Sequence, residues 1–260
     1  MNEQQLIDTM TRVARECGGM ILAAGGGEVP ATEKSSFRDL VTAYDVRVQE
    51  YAVRALADAF PGAAFICEEG APEPAGPAEL TFVIDPIDGT ANFVHHFRHS
   101  CTSIACLHDG QLAAGAVYDP YADEMFSASL HGGACLNGRR LRLHPRPLSE
   151  SLVLFGTSPY NGECDADTFA RVRDLYGRCQ DVRRSGSAAL DLCYVAAGRA
   201  GLFFEESLSL WDYAAGALIV TEAGGVCSTM AGTPLPLTGK EKSSCLAGNT
   251  RAVRESGLPS

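Results

Sequence analysis

Between Thr81 and Phe93 the chain reads TFVIDPIDGTANF. The apolar run ending at Ile84 is the pattern of a buried strand, and it delivers Asp85 to the strand's C-terminal end. Pro86 fixes the chain direction and has no N–H to donate. Gly89 permits a sharp turn, and from Thr90 onward a helix can open with its free N–H groups toward an anion. Asp85 and Asp88 stand three residues apart on this turn and can face one point. Two hard carboxylates so placed suit Mg²⁺, which keeps some waters and shares the rest of its shell with a substrate phosphate. The plainer alternative is a structural turn in which Asp88 caps the following helix.

Further acids end apolar runs or open helices, the places where α/β sites assemble. Glu68-Glu69 follows the run Ala63 to Cys67, Asp212 follows Trp211 at the head of a helical stretch, and Asp45 precedes another. Each alone has a bland reading: a solvated acid pair for Glu68-Glu69, an N-cap for Asp212 and for Asp45. Rival motifs fall away. An EF-hand needs acids at positions one, three and five, whereas here they fall at one and four with proline at two. In the aspartyl-phosphate phosphatases D-x-D-G-T places the nucleophile where this chain has Pro86, which cannot attack. Cys193 and Arg199 have C-x5-R spacing, but YVAAG between them reads as helix rather than a phosphate cradle. His95, His96 and His99 read as a polar loop, since His96 stands where a metalloprotease needs Glu. Arg139, Arg140, Arg142 and Arg146 read as a solvated turn.

The elements that must position these residues come in two styles. Leu6, Met10, Val13, Cys17 and Ile21 predict an amphipathic helix ending near Gly25 to Gly27, and Val48 to Ala59 predict a second. Ala71 to Glu79, rich in Pro, Gly and Ala, reads as an exposed loop. Leu80 to Ile84, Ser103 to Leu107, Leu112 to Tyr118 and Glu124 to Leu130 read as strands. Asp109-Gly110 and Asn137-Gly138 mark tight turns between strands, which implies an antiparallel meander. Beyond a soft boundary at Pro145 to Ser149 the pattern alternates: strand Ser151 to Phe155, helix Asp167 to Cys179 with Phe169, Val172 and Leu175 as its apolar stripe, helix Ser187 to Ala197, extended Leu202 to Phe204, helix Asp212 to Ala223, strand Cys245 to Ala247. The expected organisation is an α+β half over 1–147 and an α/β half over 148–260.

The 260 residues are long enough for a large core without disulfide staples. A hydrophobic share of 46% with 20% charged residues excludes wholesale disorder. No apolar run reaches the ~18 residues of a spanning helix. A net charge of -11 disfavours a nucleic-acid surface. Ten cysteines without any C-x-x-C, behind an N-terminus lacking an apolar signal core, point to free thiols in a reducing cytoplasm.

DPIDGTANF at Asp85 to Phe93, with WDYAAGALIVTEAGG at Trp211 to Gly225, closely resembles the inositol monophosphatase family of magnesium-dependent, lithium-sensitive phosphatases. KSSFRDLVTAYD at Lys34 to Asp45, Glu68-Glu69, and RSGSAALDLC at Arg184 to Cys193 match in family order. The resemblance implies an α-β-α-β-α sandwich, a homodimer, and two or three Mg²⁺ ions. Glu68, Asp85 and the carbonyl of Ile87 would hold the first; Asp85, Asp88 and Asp212 the second; Glu68 would help with a third. Thr90, hydrogen-bonded to Asp45, would orient and deprotonate the attacking water. Gly89 and Thr90 would bind phosphate through their N–H groups, and Gly186, Ser187, Ala188 and Glu205 would line the substrate pocket, Glu205 meeting hydroxyls. The implied reaction is hydrolysis of a small phosphorylated polyol, inositol monophosphate first. Sugar-bisphosphate, histidinol-phosphate and nucleotide-bisphosphate substrates are the alternatives, and a regulator that binds a macromolecule such as RNA polymerase is the alternative of another class. Metal binding is expected to order the site, with the loop Glu69 to Glu79 mobile without it. The chain departs from the family at Cys67, where glycine is usual, at Arg98, where proline is common, and in a short tail after Asn249 expected to lack the terminal helix.

Overall fold

The computed structural model describes residues 3–24, 29–34, 36–70, 78–159, 164–238 and 241–258 of the 260. The first apolar stripe forms α1 (Glu3–Ala23), with Leu6, Met10, Val13, Cys17 and Ile21 all buried. Two short antiparallel strands follow, β1 (Ala31–Glu33) and β2 (Leu40–Thr42). Thr42 then caps α2 (Ala43–Ala59) in a reciprocal box: its hydroxyl accepts from the Asp45 N–H, and the Asp45 carboxylate accepts from the Thr42 N–H.

A seven-stranded sheet holds, in chain order, β3 (Ala64–Cys67), β4 (Leu80–Asp88), β5 (Cys101–His108), β6 (Gln111–Asp119), β7 (Glu124–Ser129), β8 (Gly133–Leu136) and β9 (Arg139–Arg140). Only β3 and β4 pair in parallel; the rest form the expected meander. Both residues of Asp109-Gly110 and of Asn137-Gly138 have positive φ, as tight hairpin turns of this hand require. β4 lacks alternation because both its faces are covered: Phe82 and Ile84 pack with α1 and α2, Val83 into the core on the opposite side. The five-residue α3 (Thr90–Val94) opens directly after β4.

The second sheet is assembled from β10 (Leu152–Phe155), β11 (Asp181–Arg183), β12 (Leu202–Leu208), β13 (Val226–Ser228) and β14 (Ser243–Gly248), in the spatial order β11-β10-β12-β14-β13. Two helices, α5 (Ala188–Ala196) and α6 (Leu210–Glu222), lie between the sheets and share one core with both. A Cβ on Gly115 of β6 would come within 3.0 Å of the Ala215 carbonyl oxygen, so α6 rests directly on the strand. The outer face of the second sheet packs against α4 (Asp165–Tyr176) and α7 (Thr250–Ser256). The layers run helices, sheet, helices, sheet, helices, which is the expected α-β-α-β-α sandwich. Among the described residues no helix is long and apolar enough to cross a membrane, and all ten cysteines are free.

Two expectations are corrected. The tail does carry a helix: the Asn249 side chain accepts from the N–H groups of Arg251 and Ala252 and starts α7, which is too short to show a helical period in the sequence. On α4 the buried residues are Thr168 and Leu175, whereas Phe169 is 54% exposed. Val172 and Leu175 do pack against the sheet as the stripe predicts, and Phe169 alone turns away from it. The helix stop at Gly25 to Gly27 and residues 71–77 of the expected loop lie outside the described residues.

Candidate active site

The acids are delivered by strand ends and helix starts. Glu68 lies just past β3, its N–H bonded to the Ile84 carbonyl at 3.2 Å, which ties the two parallel strand ends together. On β4 the pairing with β5 slips between Asp85 and Asp88, where Pro86 has no N–H to give. The slip moves Asp88 out of step with Asp85 and lets both face inward. Gly89 turns the chain at φ +93°, and a Cβ there would stand 3.0 Å from the His99 carbonyl oxygen and 3.1 Å from that of Gly186. Both the conformation and the space therefore demand glycine.

Asp88 does not cap α3, whose N-cap is Gly89 with no side-chain bond. Its Oδ2 instead accepts from the Ser187 hydroxyl (2.6 Å) and the Ala189 N–H (2.8 Å), so it caps α5, far along the chain. Asp45 and Asp212 are not N-caps either. Each sits three residues in and accepts from the backbone N–H of its cap, Thr42 and Ser209, at 2.7 Å through Oδ2. One carboxylate oxygen thus fixes each side chain. The other oxygen of Asp45 accepts from Thr90 Oγ1 at 3.1 Å, and the same hydroxyl lies 3.1 Å from the Ile87 carbonyl.

A cavity of about 360 Å³ opens beside these groups, lined among others by Asp88, Gly89, Thr90, Gly186, Ser187, Ala188, Glu205 and Asp212. Glu205, on β12, is buried and aimed by Ser158, whose N–H donates to Oε1 at 2.8 Å. A Cβ on Gly156 would fall 1.8 Å from Glu205 Oε2, so that glycine makes room for the carboxylate. Ser187 is part of the lining, with its hydroxyl donated to Asp88.

The electrostatics are those of a crowded acid set. Burial holds Asp85 well above the usual carboxylate range, and the charges of Glu68, Asp88 and Asp212 push further. Asp212 is raised in the same way, by burial and then by Asp88 and Glu68. Burial lifts Asp88 to about 6 despite its hydrogen bonds, and Glu68 to about 7 despite Lys34. The buried Asp85 Oδ1 has no hydrogen-bond partner. Buried oxygens of this kind require protons or cations, and an all-oxygen set with an orphaned atom at its centre fits Mg²⁺. Among the described residues no three His, Cys, Asp or Glu side chains already close to ligand spacing on one point. To share an ion, the carboxylates would have to turn away from their present partners.

Of the residues singled out in the sequence, Glu68, Asp85, Asp88 and Asp212 form one electrostatic set, Asp45 and Thr90 a hydrogen-bonded pair, and Gly186, Ala188 and Glu205 the cavity wall. Sequence reasoning missed Gly156 and Ser158, which position Glu205, and Asp191, a buried acid in the same wall with an unpartnered Oδ1. It also gave no role to Lys34, whose ammonium contacts both Glu68 and Glu69. The glycine and the lysine stood in plain view, but their partners are distant in sequence.

Residues 2–259 match the inositol monophosphatase family. The chain is 40% identical over 257 residues to Nus factor SuhB of Pseudomonas aeruginosa, covering 96% of this chain and 94% of that protein. Thermotoga maritima IMPase superposes with a TM-score of 0.86 at 29% identity, covering 96% of this chain and 94% of that one. Staphylococcus aureus IMPase-II bound to inositol monophosphate gives 0.79 at 26% identity, with 96% and 91% covered. A match over nearly every residue, on a fold with the same layers, means that the chain belongs to the inositol monophosphatase family.

Proposed function

We propose that this chain is a Mg²⁺-dependent phosphomonoesterase for a small phosphorylated polyol, inositol monophosphate first. One observation carries the reading: acids from separate segments gather around the orphaned Asp85 oxygen, beside the Thr90–Asp45 pair and a cavity that ends on Glu205. Glu68, Asp85, Asp88, Asp212 and the Ile87 carbonyl are the groups that would hold the ions. Bound there, Mg²⁺ supplies Lewis acidity toward water and phosphoryl oxygen. Thr90 accepts a hydrogen bond from the attacking water and passes its own proton to Asp45 Oδ1, so that the pair acts as one base. Burial raises the Asp45 pKa, which strengthens it as that base. The N–H groups of Gly89 and Thr90 take the phosphate. Glu205 accepts from a polyol hydroxyl and sets which substrates fit.

Two named relatives support different emphases. Staphylococcus aureus IMPase-II binds inositol monophosphate in its crystal, which favours the polyol phosphate. The Pseudomonas relative is named a Nus factor, which favours a second reading: a protein that binds a macromolecular partner. The acid set argues for catalysis, because a purely structural regulator has no need of buried, mutually repelling carboxylates. Phosphate release from inositol monophosphate, a sugar bisphosphate, histidinol phosphate and a nucleotide bisphosphate, with Mg²⁺ and then with chelator, tests the proposal. Release from the first that stops on chelation is expected; no release from any member would leave only the second reading.

A further inference from the structure

Lys34 sits at the tip of the β1–β2 pair, anchored by its own N–H to the Asp39 carbonyl at 2.8 Å. Its ammonium lies 3.0 Å from Glu68 Oε1 and 2.5 Å from Glu69 Oε1, with the three side chains only 25%, 20% and 10% exposed. An ammonium is a compact cation with three donors and no lone pair. It satisfies on Glu68 the same oxygen lone pairs that a divalent ion uses. Two cations cannot both take that oxygen at contact without strong repulsion in a largely desolvated site. Glu69 is a second acid within reach and can keep the ammonium once Glu68 turns away. We propose that Lys34 is an internal stand-in for a divalent ion: it holds Glu68 in the metal-free protein and must release it before an ion binds there. The proposal rests on the metal-dependent reading above. The same tip carries Arg38, whose guanidinium pairs with Asp165 at 4.0 Å and which lines the cavity without an ion pair to Glu68 or Glu69, so it serves as the control for a nearby charge without contact.

The test is calorimetric titration of Mn²⁺ alone into chelator-stripped protein, for the native chain, Lys34→Gln, Lys34→Arg and Arg38→Gln, with melting temperatures in chelator alongside. Lys34→Gln is expected to bind Mn²⁺ on the order of tenfold more tightly and to melt lower than the native chain without metal. Lys34→Arg and Arg38→Gln are expected to stay within about twofold of native affinity. Unchanged or weaker Mn²⁺ binding by Lys34→Gln overturns the proposal, as does equal tightening in Arg38→Gln, which would mean long-range charge rather than contact. Mn²⁺ binding that ignores Lys34 removes this proposal alone, whereas no binding by any of the four proteins removes the metal-dependent reading with it.

Discussion

Replacing Asp88 by Asn removes one charge from the acid set and keeps its shape. The amide oxygen can still accept from Ser187 and from the Ala189 N–H, so the cap on α5 survives. Burial raises the Asp88 pKa from 3.8 to about 6. At about 1.4 kcal/mol for each tenfold change, that rise corresponds to about 3 kcal/mol of folding stability. A carboxyl whose folded pKa lies above its unfolded value holds its proton more tightly when folded. Its contribution is therefore intact below about pH 4 and is lost as pH climbs through about 6. Above that, the native chain without metal bears the full penalty and Asp88→Asn does not. For a chain of this size, 3 kcal/mol is roughly 5–10 °C in melting temperature. In chelator above pH 7, Asp88→Asn is expected to melt higher than the native chain by that amount, and below pH 4 the two should coincide. With Mg²⁺ the order reverses, because the native acids gain an ion that the variant holds poorly, and turnover is largely lost. Thermal melts by circular dichroism across pH, with and without metal, read all of this. A variant that melts at or below native in chelator at every pH would refute the picture of a strained acid set.

Three other outcomes follow from the same geometry. Thr90→Ala removes the 3.1 Å bond of the Thr90–Asp45 pair, and Asp45→Asn leaves an amide that can accept that bond but cannot take up the proton; in each, kcat is expected to fall about 10²–10⁴-fold with Mn²⁺ affinity nearly unchanged, as steady-state kinetics and metal titration will read. Gly156→Ala drives a methyl into Glu205 Oε2, so KM for inositol monophosphate should rise much more than KM for a simple alkyl phosphate, and equal effects on both would deny Glu205 its role in recognition. Burial raises the Glu205 pKa to about 7, so the carboxylate proposed to accept from the polyol forms only as pH rises through that value. KM for the polyol phosphate is accordingly expected to fall from pH 6 to pH 8, and a Glu205→Gln variant to lose that slope.

Much of this site was legible because its acids sit at places a sequence marks. An apolar run that stops at an acid is a strand end at Cys67-Glu68, whereas at Ile84-Asp85 the strand runs on through the register slip to Asp88, and an acid at the head of a helical pattern is a helix start. The plainer readings of Asp45 and Asp212 as helix-start residues were also near the mark, but by the neighbouring device. Both answer the N–H of a cap with one oxygen, which leaves the other for the role proposed above. What stayed hidden depends on long-range register. The bond from Ser187 to Asp88 spans 99 positions, and the bond from Ser158 to Glu205 spans 47. No local period announces either. β1, wholly exposed and three residues long, has no alternation to read. α4 was legible in part: Val172 and Leu175 of its apolar stripe pack against the sheet, but beside them Thr168 is buried and Phe169 is left exposed.

The claim at the centre is that Glu68, Asp85, Asp88 and Asp212 turn inward onto shared divalent ions. A crystal grown with Mn²⁺ and measured at the manganese absorption edge tests it directly. The account predicts anomalous peaks touching Asp85 and bridging to Asp88 and Asp212 on one side and Glu68 on the other. Anomalous maps without a peak among these four carboxylates, in crystals where the metal is saturating, would contradict it.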